Sequence, residues 1–191
     1  MKILSRRFYA RNPKIVAIEL LGKVIVRKVG NKKLSGMIVE TEAYYGDKDP
    51  ASRAYKGKKK YNSVMWDLPG KLFIYMVHGN WLLNIVAHGK DSVGVVLIRA
   101  IEPLDGIDEM MKNRKVKDIE NLTNGPGKLT RAMGIDKRLN GFDVTKRNSE
   151  IVVVDSGFRP KSIANSYRIG VTKDLPEKLR FYLKGNRFVS K

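Results

Sequence analysis

Apolar residues along this chain change their spacing several times, and each change marks an element. After Pro13 the apolar positions Ile15, Val16, Ile18 and Leu20 recur at helical spacing and stop at Gly22, which predicts a helix. Residues 23–29 and 34–42 are β-branched runs on either side of Gly30-Asn31, the pattern of an antiparallel hairpin, and they leave Glu42 at a strand's end. Residues 46–66 show no period and crowd Arg53, Lys56, Lys58, Lys59 and Lys60 together, so a basic surface loop is expected. Three strand-like runs follow, 72–77, 81–88 and 93–99, with turns at His78-Gly79-Asn80 and Gly89-Lys90-Asp91; they predict a β-meander. Beyond it, residues 107–114 and 128–133 read as helices, 151–155 as a buried strand and 178–183 as a last strand.

This order is mixed rather than alternating. It predicts an α+β domain, a curved and mostly antiparallel sheet surrounded by helices, and not a βαβ nucleotide fold. At 191 residues and 42% hydrophobic content, the chain suits one domain spanning 1–191, with no internal repeat or linker-like segment.

Charge changes the picture more than length does. Lys and Arg number 38 against 19 acidic residues, a formal charge of +19, and such a surplus attracts polyanions, nucleic acid foremost. General solubility, or the charged surface of a thermophile, is the ordinary alternative. The absence of cysteine excludes disulfides, iron–sulfur clusters and zinc sites with Cys ligands, and with them the zinc-dependent base deaminases. His78 and His88 belong to no ligand-spaced cluster, so neither metal nor cofactor is expected. The first ten residues lack the apolar core of a signal peptide and no run reaches membrane-spanning length, which suggests a cytoplasmic protein, associated with the nucleoid if the source is prokaryotic.

The candidate chemistry lies at residues 38–44. Glu40 and Glu42 stand two apart, so a regular strand points both to one face, where like charges need a reason. They are either solvated or paired with surplus Lys and Arg, or one of them works beside Tyr44 and Tyr75, whose rings are able to sandwich an extruded base.

Glu-Thr-Glu-Ala-Tyr at 40–44, Leu-Phe-Ile-Tyr at 72–75, Asn84 and Leu-Ile-Arg-Ala-Ile-Glu-Pro at 97–103 resemble the alkyladenine (3-methyladenine) DNA glycosylases, the single-domain type without a helix-hairpin-helix. Asn-Gly-Pro-Gly-Lys-Leu at 124–129, Arg-Ile-Gly-Val at 168–171 and Leu-Arg-Phe-Tyr at 179–182 continue the match in the same order, so it covers nearly the whole chain. The resemblance implies a fold shared with the C-terminal domain of formyltransferases. It also implies a monofunctional base-excision enzyme, working as a monomer on duplex DNA that holds a damaged purine: 3-methyladenine, 7-methylguanine, hypoxanthine or ethenoadenine. By the same resemblance Glu42 activates the attacking water, Arg99 helps hold that water, Tyr44 and Tyr75 stack on the flipped base, and Asn84 disfavours the exocyclic amino group of guanine. Taken alone, Asn84 would satisfy backbone groups and Arg99 would pair with Glu40 or Glu102.

Two positions depart from the family. His78 stands at a hairpin tip where a tyrosine commonly enters the minor groove, so an imidazole is expected to act as the wedge, or else as a plain turn residue. Arg53 stands where many members carry a histidine that bonds the base. Its permanent charge would repel cationic 3-methyladenine yet donate to O6 of hypoxanthine, a bias toward deaminated purines, unless it is aimed at phosphate instead. Lys58, Lys59, Lys60 and the turn Gly125, Gly127, Lys128 are candidate phosphate contacts. Two other readings stay open: a non-catalytic nucleic-acid-binding module of the same fold, and a helix-hairpin-helix glycosylase that uses Asp143.

Overall fold

The structure, a computed structural model, describes residues 2–190. Its strands are β1 (Lys2–Ile3), β2 (Val24–Val29), β3 (Lys32–Tyr44), β4 (Leu72–Val77), β5 (Asn80–Val86), β6 (Val95–Asp105), β7 (Ile151–Asp155), β8 (Ile163–Ser166) and β9 (Arg180–Leu183). The helices are α1 (Arg6–Tyr9), α2 (Pro13–Leu20), α3 (Ile107–Arg114) and α4 (Pro126–Ala132). The predicted helix after Pro13 forms as its ends dictate: Pro13 occupies the first turn, and the Asn12 side chain accepts from the Lys14 N–H at 2.9 Å.

One sheet runs β1-β7-β2-β3-β6-β5-β4, with β9 added to β3 and β8 to β9, and each ladder between these strands is antiparallel. This is the curved α+β architecture expected. β3 organises it. Its first half pairs with β2, and at Glu40–Glu42 it pairs with β9 along one edge and β6 along the other. A segment flanked on both edges sits at the sheet's centre, which is why Glu40 and Glu42 are fully buried.

The two sheet faces differ in chemistry. One carries Ile38, Ala43, Ile98, Ala100 and Ile85 into the main core beneath α2 and α4, and the Thr41 hydroxyl donates to Ala17 O of α2 at 2.9 Å. The other face carries the site. Register shifts in the β3–β6 ladder leave Val39 and Arg99 without cross-strand partners, on either side of Glu40. Such bulges re-aim side chains, and the one on β6 turns Arg99 toward both glutamates.

Residues 46–66 correct the expectation of a plain surface loop. They include a 3₁₀ turn at Lys60–Trp66, and they bury Ala54 and Met65 against Phe73, Val86 and Val95 in a small second core on the site face. Asp49, Ser52 and Asn62 are buried as well, and the Asn62 amide donates to Arg53 O and Gly57 O, at 2.8 and 3.1 Å. Alternation failed here because an irregular segment buries scattered residues with no period. Lys58, Lys59 and Lys60 are exposed, as expected. Asp143, the residue of the helix-hairpin-helix alternative, is tied to Thr145 and Arg6 beneath the Pro69 turn, away from the cavity described next. With a strand-rich fold around it, that alternative is set aside.

Candidate active site

A cavity of about 680 Å³ opens on the site face of the sheet, a size suited to a small organic group. Its walls come from distant parts of the chain: Tyr44 of β3, Arg53 of the basic segment, Tyr75 of β4, Arg99 of β6, the turn 125–128 and the segment 169–173. His78 and Asn80 line it from the β4–β5 hairpin. His78 and Gly79 both have positive φ, 46° and 73°, the backbone of a tight two-residue hairpin turn, and His78 is exposed at its tip.

Glu42 lies one layer behind the wall, and each of its partners reaches the cavity. Oε1 accepts from the Ile169 N–H at 2.8 Å and faces Arg99 Nη1 at 3.2 Å, while Oε2 accepts from the Tyr44 hydroxyl at 2.7 Å. A carboxylate has about four acceptor positions, so the described residues fill three of them and leave one on Oε2. Burial pushes the Glu42 carboxyl above its ordinary value, against the opposing pull of Arg99, the Ile169 N–H and Tyr44. Burial and the neighbouring Glu42 charge drive the Tyr44 hydroxyl well up, so it stays a donor.

Glu40 contrasts with it. Oε1 accepts from Arg99 Nε at 2.8 Å, Arg180 Nε at 2.7 Å and the Ser190 hydroxyl at 2.8 Å, and Oε2 accepts from the Ser190 N–H at 2.7 Å. Among the described residues Glu40 takes four donors, all from Arg99, Arg180 and Ser190, whereas Glu42 takes three partners that all line the cavity, which separates two carboxylates that the sequence alone left equivalent. Of the partners expected for an unassisted Arg99, Glu40 is the one it takes; Glu102 accepts from Asn186 instead.

Both tyrosines present their rings to the cavity with cations close by. The Arg168 guanidinium lies 4.5 Å from the Tyr44 ring centroid, and that of Arg53 lies 4.8 Å from Tyr75, which also stacks on Phe73 at 4.9 Å. Asn84 is buried in the same cross-strand row as Glu42 and Leu97, and its amide donates to Phe73 O at 3.1 Å, the backbone-satisfying use. Lys128 reaches Asn124 Oδ1 at 2.7 Å and so braces its own turn. Gly127 is required there, since a Cβ would come within 2.7 Å of the Asn80 side chain.

Sequence reasoning missed Arg168 as an individual residue. Its side chain is fully buried, bonded through both terminal nitrogens to Asp49 at 2.7 and 2.8 Å and through Nε to Asp174 at 2.9 Å. It thereby anchors the segment whose next residue, Ile169, holds Glu42. The only signal was its place in the Arg-Ile-Gly-Val block, which carries no periodicity.

The sequence pattern that defines the methylpurine-DNA glycosylases matches residues 7–187. A Clostridium perfringens (strain 13 / Type A) protein named "Putative 3-methyladenine DNA glycosylase" is 45% identical over 205 residues, covering 98% of each chain. Proteins of the same name from Aeropyrum pernix and Carboxydothermus hydrogenoformans are 39% and 42% identical, covering 100% and 99% of this chain and 94% and 99% of their own. With a match across nearly its full length, the chain belongs to the methylpurine-DNA glycosylase family.

Proposed function

We propose that this protein hydrolyses the N-glycosidic bond of a damaged purine flipped out of duplex DNA, with Glu42 as the general base and no strand cleavage. The observation that carries this reading is a buried carboxylate, Glu42, whose partners Tyr44, Arg99 and Ile169 all line a purine-sized cavity and fill three of its four acceptor positions. A water bonded there loses a proton to Oε2 as it attacks the sugar C1′, and the carboxylate charge favours the cationic sugar that develops as the C–N bond breaks. The electron pair of that bond leaves with the purine. Arg99, with N–H groups not used by either glutamate, helps hold the water. A base-binding module has no use for a desolvated carboxylate at such a cavity.

Recognition divides between two surfaces. Lys58, Lys59, Lys60 and the turn holding Gly125, Gly127 and Lys128 meet phosphates, with His78 filling the space of the extruded nucleotide. Tyr44 and Tyr75 stack on the base, and Asn84 takes the part that the family resemblance implies for it, disfavouring the amino group of guanine. The guanidinium of Arg53 against Tyr75 favours a base contact over a phosphate contact, hence a bias toward neutral hypoxanthine over cationic alkylpurines.

The test is single-turnover excision from duplexes carrying one lesion each. Glu42→Gln is expected to lower the rate by about 10²–10⁴ while retaining lesion binding; unimpaired excision would overturn the assignment. Arg53→His is expected to shift the hypoxanthine-to-7-methylguanine rate ratio toward 7-methylguanine, and an unchanged ratio removes Arg53 from selectivity.

A further inference from the structure

Glu40 accepts four hydrogen bonds from described residues and has no role in the reaction described above. It is fully buried, and among the described residues its hydrogen bonds come from Arg99, from Arg180 of β9 and from Ser190. Ser190 also accepts from Arg99 Nη2 at 3.3 Å, and Arg180 Nη2 donates to Ser190 O at 3.1 Å. The result is a closed frame around one edge of the Arg99 guanidinium. Nε is held by Glu40, Nη2 is directed to Ser190, and Nη1 alone is left toward Glu42.

We propose that Glu40, Arg180 and Ser190 are positioning residues for catalysis, a clamp that restricts Arg99 to a single contact with Glu42 and so keeps the second acceptor position of Oε2 open for water. The inference rests on Glu42 being the base. Its physical basis is the preferred geometry of the pair. An unrestrained guanidinium beside a buried carboxylate engages it with two parallel N–H bonds, which is stronger and geometrically specific. Such a fork would fill the position the water needs. It would also hold the base strongly ionised and weakly basic. With Nε on Glu40 and Nη2 drawn to Ser190, both the side-on and the end-on fork are broken up and Glu42 meets Nη1 alone.

Charge balance points the same way. The groups facing Glu42 are Glu40 and Tyr44 on β3, Arg99 on β6, Arg180 as its cross-strand partner on β9, and Tyr75 on β4, with Arg168 beyond Tyr44. Two carboxylates and two guanidinium groups make the inner cluster neutral. Neutralising Glu40 leaves a net positive cluster around Glu42 and lowers its basicity, since Glu40 is one of the groups that raise its pKa.

The clamp draws Ser190 and β9 into the site, 150 and 140 residues from Glu40 in sequence. That gives a fully buried carboxylate a part in the site beyond that of an inert ion pair.

The deciding measurement is the pH profile of single-turnover excision from a duplex carrying one 7-methylguanine, for wild type, Glu40→Gln, Ser190→Ala and Glu42→Gln, alongside binding to the same duplex. Glu40→Gln is expected to lower the rate by about 10²-fold and to move the acidic limb to lower pH, with binding within a few-fold of wild type. Ser190→Ala, which keeps the Ser190 N–H on Glu40, is expected to move both in the same direction by less, and it carries the test if Glu40→Gln does not fold. A purely structural Glu40 would lower thermal stability without displacing the limb. An unmoved limb in both variants, with Glu42→Gln inactive, would overturn the clamp alone. Full excision by Glu42→Gln would instead remove the base assignment beneath it.

Discussion

Replacing Arg168 with methionine isolates a fully buried ion pair, that of Arg168 with Asp49. Arg168 and Asp49 side chains are both 0% exposed, and Asp174 is 19% exposed. In the variant Asp49 keeps only the backbone N–H donors of Tyr45 and Ala51, each at 3.0 Å, and its charge is left otherwise unpaired inside the protein. Removing one partner of a buried pair costs about 3–5 kcal/mol. At about 2–4 °C per kcal/mol for a domain of this size, Tm is expected to fall by about 6–20 °C. Asp49→Asn in the same background removes the stranded charge, so the double variant is expected to be more stable than additivity allows, by about 0.5–3 kcal/mol. Thermal and urea unfolding followed by circular dichroism, at neutral pH, give these values. Excision measured well below Tm is expected to fall too, because Arg168 anchors the segment that presents the Ile169 N–H to Glu42. Strict additivity of the two substitutions, or a Tm change below about 2 °C, would refute the claim that this pair holds the segment in place.

The remaining predictions concern Glu42 and His78. Because burial raises the Glu42 carboxyl above the value of 4.5 usual for glutamate, and the ionised form is the base, the acidic limb of the excision profile is expected above that value. The same shift bears on stability: a carboxyl raised by folding contributes stability that is present below its unfolded pKa and lost as pH rises through its folded pKa. Glu42→Gln is therefore expected to melt above wild type at neutral pH, the difference shrinking on acidification; a lower melting temperature at neutral pH would contradict this. His78 adopts a left-handed backbone conformation at φ 46°, so His78→Gly is expected to preserve or raise stability while weakening lesion-duplex binding, and unchanged affinity would exclude the wedge role.

Much of the fold was legible because local periodicity is a local property. The hairpin around Gly30-Asn31, the meander from β4 to β6, helix α3 and strand β7 all follow from residue spacing within about ten positions. So do the positive-φ turn at His78-Gly79 and the helix that starts at Pro13. The segment 46–66 was misjudged because its buried residues follow no period, and its second core exists only where β4, β5 and β6 supply the other half.

The chemistry divides along the same line. Sequence determined the cast: a carboxylate pair, two tyrosines, Arg99, a surplus of positive charge and, through collinear motifs, the family. Which glutamate is enclosed by neighbouring side chains and which is held by residues of the cavity wall depended on Arg180, Ser190 and Ile169, residues 127 to 150 positions away in the chain. Asp49 and Arg168, 119 positions apart, likewise met only on folding. Hydrogen bonds and ion pairs act over a few ångströms, so their meaning at a buried site is set by whichever side chains the fold delivers there. Only the tertiary structure, by packing β9 and the Ser190 segment against the centre of β3, decided that Glu40 and Glu42 do different things.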